Sequence, residues 1–179
     1  METTSAHQKG VIDNNIITNI VKGGKNSLLL NTNALNIIWG GASTKERYWR
    51  RRKDDSSDVI ELVGVYWLEV SGKVPLQKLM PNVTYNLSFS LKFTETPSGW
   101  DNSLVIFKLQ LPGQKAVSKA EKLSTYLNDK AWLDAPEGGL EFSVTQDSSG
   151  MLTFTMYEIE CEAWKQGLVI KDVKIIPQN

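Results

Sequence analysis

The sequence has few of the residues on which common catalytic and metal sites depend. It holds one cysteine, Cys161, and one histidine, His7, in 179 residues. A single cysteine excludes an intramolecular disulfide, and an unpaired thiol favours a reducing compartment such as the cytosol. With its histidine near the N-terminus, the chain is poorly equipped for a Ser-His-Asp triad, a Cys-His pair or a histidine metal site. We therefore predict a protein that is not an enzyme and that uses no metal and no cofactor.

The chain also lacks a dominant charge and a long apolar run. Its 20 basic and 20 acidic residues cancel, which argues against a protein whose whole surface binds nucleic acid or membrane. No segment reaches the roughly 18 uninterrupted apolar residues of a membrane span, and residues 1–10 lack the apolar core of a secretory signal. The composition, 41% hydrophobic and 22% charged, is typical of one globular domain, which we expect in the cytoplasm.

The N-terminal segment differs in composition from the rest. Residues 1–30 contain no Phe, Trp or Tyr, and they include Asp13-Asn14-Asn15 and Gly23-Gly24-Lys25-Asn26. Such a segment is typical of a loose terminal tail, although its short apolar patches would also suit an edge strand or an arm that reaches another subunit. We predict a polar extension over residues 1–27 and a single domain over residues 28–179.

Alternating apolar and polar residues dominate the chain beyond the extension. Between residues 85 and 93, Tyr, Leu and Phe at odd positions alternate with Asn, Ser and Lys, which is the pattern of a half-buried antiparallel strand. Residues 105–111 and 152–156 repeat it. Together with further apolar runs and regularly spaced glycine turns, the pattern predicts about seven or eight strands in a sandwich or barrel. The further runs are residues 59–70, 140–144 and 168–176.

One segment departs from this alternation. Residues 115–130 are rich in Ala, Lys, Glu and Leu, and they place Val117, Ala120, Leu123 and Leu127 at helical spacing. We predict a short helical insertion, as a helix or a helical turn, on an all-β scaffold.

Large aromatic residues lie on both sides of a glycine-rich turn. Asn36-Ile37-Ile38-Trp39 has the pattern of a strand that ends in a tryptophan, and Arg47-Tyr48-Trp49 follows the turn. Flat rings at the end of a strand suit ligands with apolar faces and polar edges, such as sugars. Trp164 stands in another turn, whereas Trp67 lies within an apolar run and is interpreted as a core residue.

Charged residues in the chain allow other interpretations. Glu158, Glu160 and Glu162 have the spacing to place glycosidase carboxylates on one side of a strand. They also suit a polar strand edge, and we interpret Glu158 as a hydrogen-bond acceptor for sugar hydroxyls. The basic run 50–53 is compatible with single-stranded RNA, but the acidic residues directly after it are typical of a mixed-charge loop.

The order of these motifs resembles the phloem protein 2 family and its Nictaba-like lectin domain. The likeness extends over about residues 34–177, and its order is more specific than any single motif. It implies an antiparallel β-sandwich of jelly-roll type. Residues 128–133 match the family's central motif only in part. The motifs that carry the resemblance are Ala34-Leu35-Asn36-Ile37-Ile38-Trp39, Arg47-Tyr48-Trp49, Val65-Tyr66-Trp67-Leu68-Glu69-Val70, Leu79-Met80-Pro81-Asn82-Val83-Thr84-Tyr85, Met156-Tyr157-Glu158-Ile159 and Trp164-Lys165-Gln166-Gly167.

The resemblance implies a non-catalytic plant lectin that binds GlcNAc oligomers, or chito-oligosaccharides, and the core of N-glycans. It also implies a homodimer of the cytoplasm, the nucleus and phloem sap. Two alternatives stay open, an RNA-binding phloem protein and a structural protein that forms filaments through strand edges and Cys161. Carried over residue by residue, the sugar site falls on Trp39, Tyr48, Trp49, Glu158, Trp164 and Lys165.

Overall fold

Strands dominate the computed structural model of the chain. It describes residues 5–147, 149–160 and 162–179, so Cys161 and its expected role in assembly lie outside the described residues. No helix in this described part is long and apolar enough to cross a membrane. The strands are β1 Ile16–Ile20, β2 Asn26–Asn31, β3 Asn36–Ile37, β4 Trp49–Asp54, β5 Ser57–Leu62, β6 Leu68–Pro75, β7 Val83–Ser98, β8 Val105–Gln110, β9 Val117–Glu121, β10 Leu133–Val144, β11 Met151–Glu158 and β12 Gln166–Pro177.

The strands form a seven-stranded and a five-stranded antiparallel sheet. In the larger sheet, β12 pairs with β7 on one side and with β2 and β5 on the other, and β10, β1 and β4 lie beyond these neighbours. The smaller sheet has the order β3-β6-β11-β8-β9. The predicted all-β fold, an antiparallel β-sandwich of jelly-roll type, is therefore confirmed.

The core lies between the inward faces of the two sheets. On β7, the residues at odd positions from Tyr85 to Phe93 are buried, as the alternation predicted. Phe89 of this strand packs edge-on against Phe107 and Phe154 of the smaller sheet, with ring centroids 5.7 Å apart in both pairs. Burying an aromatic side chain of this size contributes about 1.5–3 kcal/mol, so these rings join the two layers.

The segment expected to hold a helix or a helical turn forms a strand and a short 3-10 turn. Val117–Glu121 is β9, which pairs with β8, and the turn covers Leu123–Tyr126. Helix propensity is a weak preference that pairing with a neighbouring strand overrides. Of the two alternatives for the insertion, the helical turn is the correct one.

The N-terminal segment is not a loose tail over residues 5–27. Its strand β1 pairs with β2 through five residue pairs, and Gln8 forms an isolated β-bridge with Ile37. The backbone N–H of Gly41 donates to the carbonyl of Ala6 at 2.9 Å. The segment gains order by supplying partners to backbone groups at the edge of the sandwich. The division of the chain at residue 28 remains a prediction.

Candidate functional site

Five aromatic side chains form a continuous row on the surface of the sandwich, which we call the aromatic surface. Centroid distances between successive rings are 4.8 Å from His7 to Trp39, 5.5 Å from Trp39 to Tyr48, 6.5 Å from Tyr48 to Trp164 and 4.9 Å from Trp164 to Tyr66. All five are partly or largely exposed. The structure thus brings together three of the predicted site residues, Trp39, Tyr48 and Trp164, and adds His7 and Tyr66.

Trp39 occupies an unusual backbone conformation in the turn that follows β3. Its φ is 64°, in the left-handed region that a bulky residue rarely adopts. This conformation costs about 1–3 kcal/mol and persists only where the surroundings impose it. Here the backbone N–H of Trp39 donates to Nδ1 of His7 at 2.9 Å. The N-terminal segment therefore fixes the tryptophan and borders its ring.

Trp49 does not belong to the aromatic surface, contrary to its predicted role as a stacking platform. It starts β4, is 3% exposed and lies in the hydrophobic core. Its indole Nε1 donates to the carbonyl of Ile38 at 3.2 Å. Because Ile38 directly precedes Trp39, this bond ties the buried indole to the backbone that carries the exposed one.

Trp164 lies flat against a glycine. A Cβ placed on Gly64 would stand 2.1 Å from Nε1 of Trp164, which is far inside van der Waals contact. The absent side chain at residue 64 therefore creates the seat for the indole. The backbone N–H groups of Val63 and Gly64 both donate to the carbonyl of Tyr48, so this seat is joined to another residue of the aromatic surface.

Glu158 and Lys165 form a buried ion pair beneath the aromatic surface. Nζ of Lys165 lies 2.8 Å from a carboxylate oxygen of Glu158, and the two side chains are 0% and 5% exposed. The same Nζ donates to the carbonyls of Tyr66 at 2.7 Å and Ala163 at 3.1 Å, which accounts for the three donors of an ammonium group. The predicted role of both residues as direct sugar ligands does not fit this burial. They hold the segments that carry Tyr66 and Trp164.

Tyr66 and Trp67 were missed by the sequence interpretation. Trp67 was expected in the core, yet it is 46% exposed, and Tyr66 is more exposed still. The predicted continuous strand is interrupted between the end of β5 at Leu62 and the start of β6 at Leu68. Two signals were present, since Gly64 breaks the apolar run and two adjacent aromatics cannot both point inward from a strand.

A cleft of about 490 Å³ borders the aromatic surface on the side of His7. Its walls come from the N-terminal segment, from the turn at Gly40 and Gly41, and from β4. Lys45 and Arg51 contribute positive charge and Glu46 contributes negative charge. The cleft therefore offers polar groups of both signs beside His7, whose ring contacts that of Trp39.

The basic run at residues 50–53 is largely paired with acidic side chains. Arg50 and Arg52 both bind the carboxylate of Glu61, and Lys53 lies 3.1 Å from Asp58. The expected mixed-charge loop is instead strand β4, whose charges are balanced mainly by Glu61 and Asp58 of the paired strand β5. This pairing of charges does not favour the RNA-binding alternative, which needs cations free to contact phosphates.

The described residues include no group of three or more His, Cys, Asp or Glu side chains that could hold a metal ion. The aromatic surface itself consists of flat rings with hydroxyl, imidazole and indole groups at their edges. Such a surface binds ligands by stacking and by hydrogen bonds to their rims.

The chain matches one protein family over most of its length. The family model described as phloem protein 2 matches residues 25–177. The chain belongs to the phloem protein 2 family. PHLOEM PROTEIN 2-LIKE A1 of Arabidopsis thaliana is 33% identical over 160 residues, which cover 86% of this chain and 63% of that protein. PHLOEM PROTEIN 2-LIKE A2 of the same plant is 36% identical over 127 residues, which cover 70% of this chain and 63% of that protein.

This phloem protein 2 chain thus spans about 63% of the length of these two relatives. A protein named lectin from Luffa acutangula is 27% identical over 161 residues, which cover 86% of this chain and 72% of the lectin. Among solved structures, TmCBM61 in complex with β-1,4-galactotriose is similar with a TM-score of 0.42 and 14% identity. That alignment covers 73% of this chain and 88% of TmCBM61.

Proposed function

We propose that this phloem protein 2 chain is a non-catalytic lectin whose aromatic surface binds GlcNAc oligomers. The observation that carries the proposal is the unbroken row of exposed rings, in which Trp39, Tyr48 and Trp164 follow one another at the edge of the sandwich. The relative named lectin supports a carbohydrate as the class of ligand. The chain has one histidine and one cysteine, and this low number of common catalytic residues supports a binding role without catalysis.

Stacking supplies the affinity in this proposal. The apolar face of one GlcNAc unit lies on the indole of Trp39 and that of another lies on Trp164, with Tyr48 between them. The hydroxyl groups of Tyr48 and Tyr66 hydrogen bond to the rims of the sugars. Because each sugar buries little area, single sites bind in the roughly millimolar to micromolar range.

The buried pair of Glu158 and Lys165 has a positioning role in this proposal. Lys165 holds the carbonyl of Tyr66 and the carbonyl next to Trp164, so the pair fixes two rings relative to each other. Pre-arranged rings lose less conformational freedom when the ligand binds, and affinity rises for that reason.

Two copies of the chain raise the affinity for glycoproteins. A homodimer presents two aromatic surfaces, and its second contact with a branched N-glycan or a chito-oligosaccharide forms at a high effective concentration. We place this activity in the cytoplasm, the nucleus and phloem sap, where the family resemblance points.

Calorimetric titration with chitotriose tests the proposal. We expect Trp39→Ala and Trp164→Ala each to weaken binding about tenfold or more, because each removes a stacking face. Trp132→Ala is the matched control, since that ring contacts Lys92 and Lys171 instead of the aromatic surface. Binding to wild type should change little with salt, whereas RNA binding would fall steeply. Equal affinity of folded Trp39→Ala, Trp164→Ala and wild-type proteins would exclude the aromatic surface as the site.

A further inference from the structure

The end strands of the two sheets differ in how their open edges are protected. An exposed edge strand tends to pair with another chain, and charges, bulges, short length or a covering segment prevent this. Among the described end strands, β1 has neither a charged residue nor a bulge, since residues 16–20 are Ile-Ile-Thr-Asn-Ile and pair with β2 without a register shift. Each of the other end strands has at least one protection. Strand β4 carries a run of charges, β9 carries Lys119 and Glu121, and β10 carries Asp134, Glu141 and a bulge. Strand β3 has two residues and is bridged by Gln8.

The backbone of β1 has hydrogen-bonding groups free on its outer edge. The carbonyl of Asn15 accepts from Asn31, and the N–H of Val21 donates to Lys25, so the odd-numbered residues face β2. Because backbone groups alternate between the two sides of a strand, Ile16, Thr18 and Ile20 point their N–H and C=O groups away from the sheet.

The side chains of β1 are more apolar than is usual for a strand at a solvent-exposed edge. Ile16 packs against the hydrophobic core. Thr18 and Ile20 share its face, because side chains two apart point the same way along a strand. Ile20 is nevertheless 71% exposed, and Ile17 on the opposite face is 49% exposed. The apolar face that packs on the core at Ile16 thus continues to the solvent-exposed Ile20.

We propose that β1 pairs with β1 of a second copy of the chain. The pairing is antiparallel and centred on Thr18, so that Thr18 faces Thr18 and Ile16 faces Ile20 across a twofold axis. In this register the outward groups of all three residues are bonded, giving about six backbone hydrogen bonds. Each Ile20 then lies beside the core-packed Ile16 of the other copy, and the two larger sheets become one continuous sheet.

The charges at the two ends of β1 match this register. Asp13 lies in the turn before β1 and Lys22 in the turn after it, and both side chains are exposed. An antiparallel pair places the start of one strand beside the end of the other. Asp13 of each copy therefore comes close to Lys22 of the second copy, and a parallel arrangement would instead bring like charges together.

The β1 interface supplies the pairing of copies on which the proposed lectin function relies, and it forms without sugar. The aromatic surface lies at the end of β3 and in the loops around Tyr48 and Trp164, whereas β1 is an end strand of the other sheet. Oligomeric state and sugar affinity can therefore be measured separately. A chain that binds sugar but does not dimerise would count against the β1 interface. A chain that dimerises but does not bind sugar would count against the aromatic surface.

Light scattering coupled to size-exclusion chromatography tests the interface. We expect the full chain to be a dimer at micromolar concentrations, and Thr18→Pro and Ile20→Lys to raise the dimer dissociation constant about tenfold or more. Proline at residue 18 removes an outward N–H and leaves the bonds to β2 intact. Val117→Lys on β9 is the matched control and should remain dimeric. Affinity for chitotriose per chain should be unchanged in all three variants, which shows that they are folded.

Disulfide trapping tests the register. In a Cys161→Ser background, Thr18→Cys should form a covalent dimer under mild oxidation, because directly opposed residues have Cα atoms about 5.5 Å apart. Asn19→Cys should not, since it is displaced from the axis. A monomeric wild type, dimers that survive both Thr18→Pro and Ile20→Lys, or equal cross-linking of the two cysteine variants would overturn the proposal. Binding of β1 to a different protein without self-association would also overturn it.

Discussion

At the scale of single residues, Trp39 combines a strained backbone with an exposed ring. The left-handed φ of 64° is held by His7 from one side and by the Trp49 bond to Ile38 from the other. The sequence predicted that Trp39 ends a strand, whereas β3 ends at Ile37 and Trp39 lies in the turn after it. The sequence contained no sign of the positive φ, because that conformation comes from contacts with a segment 32 residues away.

The strain at Trp39 predicts that its glycine variant is more stable than its alanine variant, the reverse of the usual order. Glycine adopts a positive φ freely and alanine does not, so Trp39→Gly should be about 1 kcal/mol more stable than Trp39→Ala. At Trp67, which is also exposed but has no positive φ, glycine should be no more stable than alanine. Urea denaturation of the four variants measures this, and the same order at both positions would contradict the account of Trp39.

Asp172 predicts a second effect at the residue scale. Burial raises the pKa of its carboxyl group, Asp134 adds to the rise, and Lys171 and Lys174 oppose it. The native state therefore holds a proton at pH values where the unfolded chain has lost it, and stability falls as pH increases through that window. Above the window the native carboxylate is charged and buried at full cost.

We expect Asp172→Asn to be more stable than wild type at neutral pH. The gain should shrink on acidification and vanish below the unfolded pKa of about 3.9, because both proteins then carry a neutral side chain. Thermal denaturation across pH measures the difference. A gain that is constant with pH would show that Asp172 titrates normally.

At the scale of elements, the central strands were predictable, whereas β1, β4, β9 and the loops that form the site were not. Strict alternation along β7, β8 and β11 specifies which residues face the core, and the structure follows it. The loop between β5 and β6 follows no such period, because its shape depends on bonds from Val63 and Gly64 to Tyr48 and from Lys165 to Tyr66. Long-range backbone partners of this kind leave no local pattern in a sequence.

The buried lysine provides a prediction about these loops. Lys165→Met should lower the free energy of unfolding by about 3–5 kcal/mol, since it leaves the carboxylate of Glu158 buried without its cation. It should also weaken chitotriose binding, because Tyr66 and Trp164 lose their common support. Adding Glu158→Gln should recover part of the stability by removing the buried negative charge. Urea denaturation of the single and double variants measures both steps, and a single variant within 1 kcal/mol of wild type would exclude the proposed role.

At the scale of the whole molecule, the two proposed binding surfaces lie on different parts of the sandwich. The aromatic surface is built from loops and the N-terminal segment, while the open edge of β1 belongs to the larger sheet. This N-terminal segment, residues 5–24, precedes the match to the family model, which starts at residue 25. It nevertheless supplies His7 to one surface and β1 to the other.

Indole N–H signals in a nuclear magnetic resonance titration with chitotriose test the central claim most directly. The chain has six tryptophans, so buried indoles serve as internal controls for exposed ones. The account predicts that the signals of Trp39 and Trp164 shift with added sugar, while those of the buried Trp49 and Trp100 stay in place. Shifts confined to Trp49 and Trp100, or no shift in any indole, would contradict it.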